Sequence, residues 1–279
     1  MRLFLVKILF ICCLGISLQG CETLKSLSSK SSDTEDEYVG WTAEKFLSEA
    51  KKSLDSANYE KAIKLYESLE ARYPFGDFSA QTQIDIAYAY YKNGDPDNAL
   101  AAADRFIKIN PRNPSVDYAY YLKGLINYNR GIGFLDRFLP SDTSQRDPGS
   151  ARDAYENFAE LIRRFPNSKY LADARQRMTA LKNNLAMHEV HVARYYMKRK
   201  AYIAAVNRAS TVIEKYDRTP AVPYALLVLQ EAYTQLGMTD FANNMARVYQ
   251  QNYPDGPPVP EYQNATFAHR VWDFIGLEK

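Results

Sequence analysis

Asn58-Tyr59-Glu60-Lys61-Ala62, running on to Tyr73-Pro74, lies in frame over Asp95-Pro96-Asp97-Asn98-Ala99, running on to Asn110-Pro111. The frame recurs around Ala154, Ala205 and Ala242. Four residues after each alanine stand Tyr66, Ala103, Phe158, Ala209 and Ala246, and seven after stand Leu69, Phe106, Leu161, Val212 and Tyr249. A set at i, i+4 and i+7 is one face of an α-helix. Twelve after come Pro74, Pro111, Pro166, Asp217 and Pro254. A proline cannot continue a helix, so each of these helices is expected to end there.

A second helix is expected before each of them. Gln83-Ile86-Ala87-Tyr90, Glu189-Val192-Ala193-Tyr196 and Leu226-Leu229-Gln230-Tyr233 sit at matching offsets, with weaker copies at Phe46-Ala50-Ser53 and Tyr120-Gly124-Asn127. The small residue lets the partner helix approach and the large ones fill the gap. Paired helices repeating at about 34 residues are the tetratricopeptide layout. Here the steps between frame alanines are 37, 55, 51 and 37 residues, so the two long steps contain insertions. The expected fold is therefore all-α, a tetratricopeptide-repeat solenoid of five helix pairs over residues 41–254, curved around a concave groove.

The insertions differ in character. Residues 131–150 read as a loop, with Phe134, Leu135, Phe138 and Leu139 making it too apolar for a spacer; it either packs back on the repeats or touches a partner. The stretch from Tyr170 to Asn184 keeps helical spacing through Leu171, Ala174, Met178 and Leu181, and is expected to lengthen the first helix of the fourth pair.

Outside the repeats, the ends carry other signals. Arg2 and Lys7 precede an apolar run from Ile8 to Leu18, which is the charge and length pattern of a secretory signal over residues 1–20, too short for a stable membrane span. The run closes on Leu18-Gln19-Gly20-Cys21, which resembles the bacterial lipobox, whose cysteine is acylated. Cys12 and Cys13 fall inside the signal, so Cys21 would remain as a single cysteine with no disulfide partner. An ordinary cleaved signal with an incidental Cys21 is the alternative. Several acyl chains anchor firmly where one anchors weakly, so a membrane attachment by lipid at Cys21 is expected. Glu22, where an aspartate often marks inner-membrane retention, points to the outer membrane. Residues 21–40, rich in Ser, Thr, Lys, Glu and Asp without apolar periodicity, read as a lipidated flexible tether. Residues 255–279 read as a tail, Pro257-Pro258-Val259-Pro260 leading to Phe267, Val271, Trp272, Phe274 and Ile275.

Charge excludes one class of partner. The chain has 35 Lys+Arg against 33 Asp+Glu, and losing Arg2 and Lys7 makes the two equal. A neutral chain has no global attraction to nucleic acid, so no nucleic-acid partner is expected.

Signals for chemistry are weak. His188-Glu189-Val190-His191 has one residue between Glu and the second His where a zincin helix needs two, and no third ligand lies nearby; a wet helix surface is the expectation. Gly131-Ile132-Gly133 lacks the strand and third glycine of a dinucleotide site. No enzyme activity, cofactor or metal is expected. The conspicuous excess is tyrosine, 22 residues. Most belong to repeat positions, with a wet edge, and some are expected to line the groove.

Several segments are more specific than the repeat. Ala71-Arg72-Tyr73-Pro74-Phe75-Gly76 closes the first pair. It is followed in order by Gln83-Ile84-Asp85-Ile86-Ala87-Tyr88-Ala89-Tyr90-Tyr91-Lys92, Asp104-Arg105-Phe106-Ile107, Asp117-Tyr118, Arg146-Asp147-Pro148, Phe165-Pro166-Asn167-Ser168 and Val206-Asn207-Arg208. With the lipobox, this order resembles the BamD (ComL) family of lipoproteins of the outer-membrane β-barrel assembly machine, over roughly residues 41–254. The resemblance implies a non-enzymatic scaffold on the periplasmic face of the outer membrane. Repeats at about 151–254 would dock the last periplasmic POTRA domain of a BamA-like barrel protein, and repeats at about 41–131 would help recognise unfolded outer-membrane protein substrates. Accessory Bam lipoproteins are further implied partners. Residue by residue, it implies substrate contact at Tyr73 with its neighbours Arg72 and Phe75, and partner contact at Arg208 with Asn207. Without the resemblance, Tyr73 reads as a helix-end ring packing under Pro74, and Arg208 as a solvated helix charge. A different class remains open, a repeat lipoprotein that binds peptidoglycan or organises cell-wall synthesis. A hydrolase would need a nucleophile pair, and the sequence offers no candidate.

Overall fold

A computed structural model describes residues 38–130, 142–145 and 147–258. The signal, Cys21, most of the tether, the apolar part of the 131–150 insertion and residues 259–279 lie outside the described residues.

Among the described residues ten α-helices follow one another: α1 (Ala43–Asp55), α2 (Tyr59–Arg72), α3 (Ser79–Lys92), α4 (Pro96–Ile109), α5 (Val116–Asn129), α6 (Gly149–Arg164), α7 (Leu171–Lys198), α8 (Tyr202–Lys215), α9 (Val222–Gln235) and α10 (Thr239–Asn252). A 3₁₀ turn, Thr143–Gln145, precedes α6. There is no strand among the described residues. Each helix packs chiefly on its neighbours in the chain, with α3 also touching α5 and α7 touching α9. This is the quasi-one-dimensional stacking of a solenoid of five helix pairs. Among the described residues, no helix is long and apolar enough to cross a membrane.

The frame residues form the core. Ala62, Ala99, Ala154 and Ala205 are fully buried and Ala242 nearly so. Tyr66, Phe106, Phe158, Leu161 and Val212 fill the space beside them. Gly124 permits the tightest helix contact: a Cβ there would lie 2.3 Å from Cε1 of Phe158.

Two local devices set the period. Within four of the pairs, the turn is closed by a residue five before the frame alanine with positive φ: Ala57 (58°), Gly94 (77°), Lys200 (58°) and Gly237 (72°). Its N–H bonds the carbonyl three back, and the next N–H bonds the carbonyl five back from itself, as in Gly94 to Tyr91 and Asp95 to Tyr90. That is the Schellman ending of a helix. The next helix then starts on a side-chain cap at Asn58 and Asp95, whose oxygens accept from the N–H groups of Lys61 and Asn98. Between pairs, the helix ends two residues before the proline. Tyr73, Asn110, Phe165 and Tyr253 adopt φ between −119° and −136° with ψ between 53° and 68°, outside the helical region that a following proline disfavours. Tyr216 also leaves the helical region, at φ −128° and ψ 35°, with Asp217 after it. The proline therefore reinforces a stop that the repeat makes without it.

The second insertion is the N-terminal half of α7, a single 28-residue helix. It serves two cores. One buried cluster runs from Phe46 to Leu181, and a second from Ala186 to Tyr249. The boundary falls inside α7.

Candidate binding surfaces

The first surface surrounds the end of α2. Pro74 stops the helix and Gly76, at φ 147°, turns the chain in a region only glycine enters freely. Arg72 Nη1 donates to the carbonyl of Tyr38 at 2.7 Å, and its guanidinium sits 5.5 Å from the ring of Phe46. Tyr73 does not simply pack under Pro74: its hydroxyl donates to the carbonyl of Trp41 at 2.8 Å. Tyr38, Trp41 and Phe46 form an aromatic trio with centroids 4.9–5.4 Å apart. Arg72 and Tyr73 thus tie the strand of chain entering α1 to the end of α2, and both remain exposed. Phe75 is 92% exposed. It stands at a cleft of about 190 Å³ lined also by Ala43, Leu69, Tyr73, Phe78 and Thr82. The Thr82 hydroxyl is buried there without a hydrogen-bond partner.

The second surface lies on α8 beside α6 and α7. Asn207 and Arg208 are exposed. Arg208 is not a free helix charge: Nη1 lies 3.1 Å from Oε2 of Glu189, whose side chain is 7% exposed. Arg152 Nη2 approaches the other carboxylate oxygen at 3.8 Å. On the same turn of α7, His188 Nδ1 meets the Ser144 carbonyl at 2.8 Å, and His191 Nε2 lies 3.0 Å from Oδ2 of Asp142. The His188-Glu189-Val190-His191 segment is therefore no wet surface; it holds the returning end of the insertion against α7. Burial pushes the His191 imidazole below its ordinary pKa, partly offset by Asp142. Burial works to raise Asp142, but hydrogen bonds from Ser144 and Gln145 hold it below the usual carboxylate range. No group of three metal-ligating side chains occurs among the described residues.

Three tyrosines donate to carboxylates. Tyr121 donates to Asp173 at 2.7 Å, Tyr66 to Asp85 at 3.3 Å and Tyr90 to Glu67. Burial and these carboxylates raise the phenols, Tyr90 and Tyr121 to about 12, so they stay protonated.

The family resemblance pointed to Arg208, Asn207, Tyr73, Arg72 and Phe75, which lie on two separate surfaces of the structure. It did not point to Glu189, Arg152, Tyr38 or Trp41. One signal for Glu189 was present. It fills the helix column occupied by Phe46, Tyr120 and Leu226 in other pairs, where a carboxylate is out of place.

Fold and surfaces together define a helical-repeat protein of the tetratricopeptide type. A family model described as "YfiO: Outer membrane lipoprotein" matches residues 41–248, and the chain belongs to that family. It is 46% identical over 251 residues to the outer membrane protein assembly factor BamD of Neisseria meningitidis serogroup A, covering 90% of this chain and 92% of that one. The assembly factors BamD of Xylella fastidiosa (strain Temecula1) and Vibrio cholerae are 38% and 40% identical, covering 78% and 74% of this chain and 74% and 85% of theirs. Among solved structures, that of the MamA protein aligns with a TM-score of 0.36 at 15% identity, over 75% of this chain and 90% of that chain.

Proposed function

We propose that the chain is a non-enzymatic scaffold of the outer-membrane β-barrel assembly machine, held by acyl chains on Cys21 at the periplasmic face of the outer membrane. The reading is carried by the 46% identity to an assembly factor over nine-tenths of both chains. In this reading α6–α10 dock the POTRA region of a BamA-like barrel protein through Arg208 and Asn207, with accessory lipoproteins alongside. The surface of Arg72, Tyr73 and Phe75 takes up segments of unfolded outer-membrane proteins. Phe75 supports the second assignment, because an aromatic ring 92% exposed beside an apolar cleft offers contact area that the fold itself does not use.

Co-purification from detergent-solubilised membranes tests the scaffold role: a barrel protein with periplasmic domains is expected to co-elute. Arg208→Leu is expected to weaken that association, and Arg208→Glu to weaken it further by adding repulsion. Loss of one partner from a desolvated charge pair costs about 2–5 kcal/mol, and much less at a rim. Unchanged co-elution of both variants, with normal circular dichroism, would place the docking surface elsewhere.

A further inference from the structure

Glu189 stands where the architecture has no need of a charge. Its column in the first helix of each pair holds Phe46, Tyr120 and Leu226, and in the second pair the neutral Gln83, bonded to Glu70 and Asn110. A carboxylate withdrawn from water is stabilised only by close, well-aligned partners, and an apolar residue of similar size commonly serves stability as well or better. Its partners come from opposite sides. Arg152 on α6 reaches Oε1 and Arg208 on α8 reaches Oε2. The same stretch of α7 is where the first core gives way to the second. Arg208 touches Glu189 through one terminal nitrogen, while its side chain stays 46% exposed.

We propose that Glu189 is a positioning residue for docking: it fixes the Arg208 guanidinium so that the open donors of the fork face a carboxylate on the partner. This rests on the reading of Arg208 as the docking residue. A long exposed arginine must otherwise be ordered when the partner arrives, and that ordering subtracts from affinity. Arg208 presents a planar set of donors matched to a second carboxylate once the first is held behind it. In that reading the partner group is an aspartate or glutamate side chain, and Arg152 approaches Glu189 from the side of α6.

The test is a double-mutant cycle with the full lipidated chain in detergent and a detergent-solubilised BamA-type barrel protein from the same cells. Glu189→Gln is expected to raise Kd about two- to tenfold, and to have no further effect in an Arg208→Leu background. Glu189→Leu, which matches Leu226 in the same column, is expected to behave as Glu189→Gln does, and covers the case in which the amide variant folds poorly. Relaxation of the Arg208 Nε–Hε group in arginine-labelled protein reads positioning directly: it is ordered in the parent chain and mobile in either variant. Equal weakening with and without Arg208 would make Glu189 merely structural, and no change would remove its role. Tighter binding of Glu189→Gln would make Glu189 a competitor of the partner's carboxylate. Each of these overturns the proposal while the docking role of Arg208 stands. If Arg208→Leu alone leaves Kd unchanged, the docking assignment itself fails, and this inference with it.

Discussion

Replacing Gly124 by alanine would place a methyl carbon 2.3 Å from Cε1, 2.5 Å from Cδ1 and 2.8 Å from Cζ of Phe158. Carbon atoms at rest approach to about 3.5–4.0 Å, so the ring must move by more than an ångström or α5 must separate from α6. The ring has little room. Phe158 is fully buried and lies against Tyr121, centroid to centroid 6.0 Å. Overpacking of this kind costs about 1–3 kcal/mol, and the enclosed ring argues for the upper end. Against it stands the gain of alanine over glycine inside a helix, about 1 kcal/mol. The net expectation is a loss of about 2 kcal/mol. At roughly 2–4 °C per kcal/mol for a chain of this size, Tm falls by about 4–8 °C in a melt followed by circular dichroism. Combining Gly124→Ala with Phe158→Leu makes room for the methyl, so the pair is expected to cost less than the sum of the two single changes by about 0.5 kcal/mol or more. A Gly124→Ala protein that melts at or above the parent temperature would show that helix propensity outweighs the contact and that α5 and α6 do not approach this closely.

Three further expectations concern other levels of the molecule. Cys21→Ser is expected to move the protein out of the membrane fraction or leave its signal uncleaved, since in the proposed reading acyl chains on Cys21 are its anchor; a cleaved variant still membrane-bound without partners would refute the lipid reading. Phe75→Ser is expected to change stability by less than about 0.5 kcal/mol, because the ring is exposed, while weakening capture of an unfolded barrel-protein peptide in a fluorescence-anisotropy titration; unaltered capture would remove Phe75 from the substrate surface. Lys200→Gly and Ala57→Gly are each expected to raise stability in denaturant titrations by up to about 1 kcal/mol, since both residues hold φ 58° where glycine stands in the equivalent turns; a loss in either would mean that the turn prefers a side chain.

The repeat was legible in the chain because its determinants are local. An alanine frame and a face at i, i+4 and i+7 fall within one helix of 14 residues such as α2, with the proline just past its end, and helix pairing follows from short connections. The expected acylation at Cys21 rests on a linear segment that lies outside the described residues. The extension of α7 was visible because the apolar spacing continues through Leu181 without a break. What tertiary structure alone decided is which polar groups meet across helices. Tyr73 finds the Trp41 carbonyl 32 positions away, and His188 finds Ser144 at 44. Glu189 draws Arg208 from one side and Arg152 from the other, joining three helices that the periodicity treats separately. Helical period is written in neighbouring residues, whereas the pairing of a charge depends on where distant side chains arrive once the helices have stacked. In isolation the sequence shows Arg208 as a solvated cation and His191 as a surface imidazole. Only the stacked helices give each of them a carboxylate.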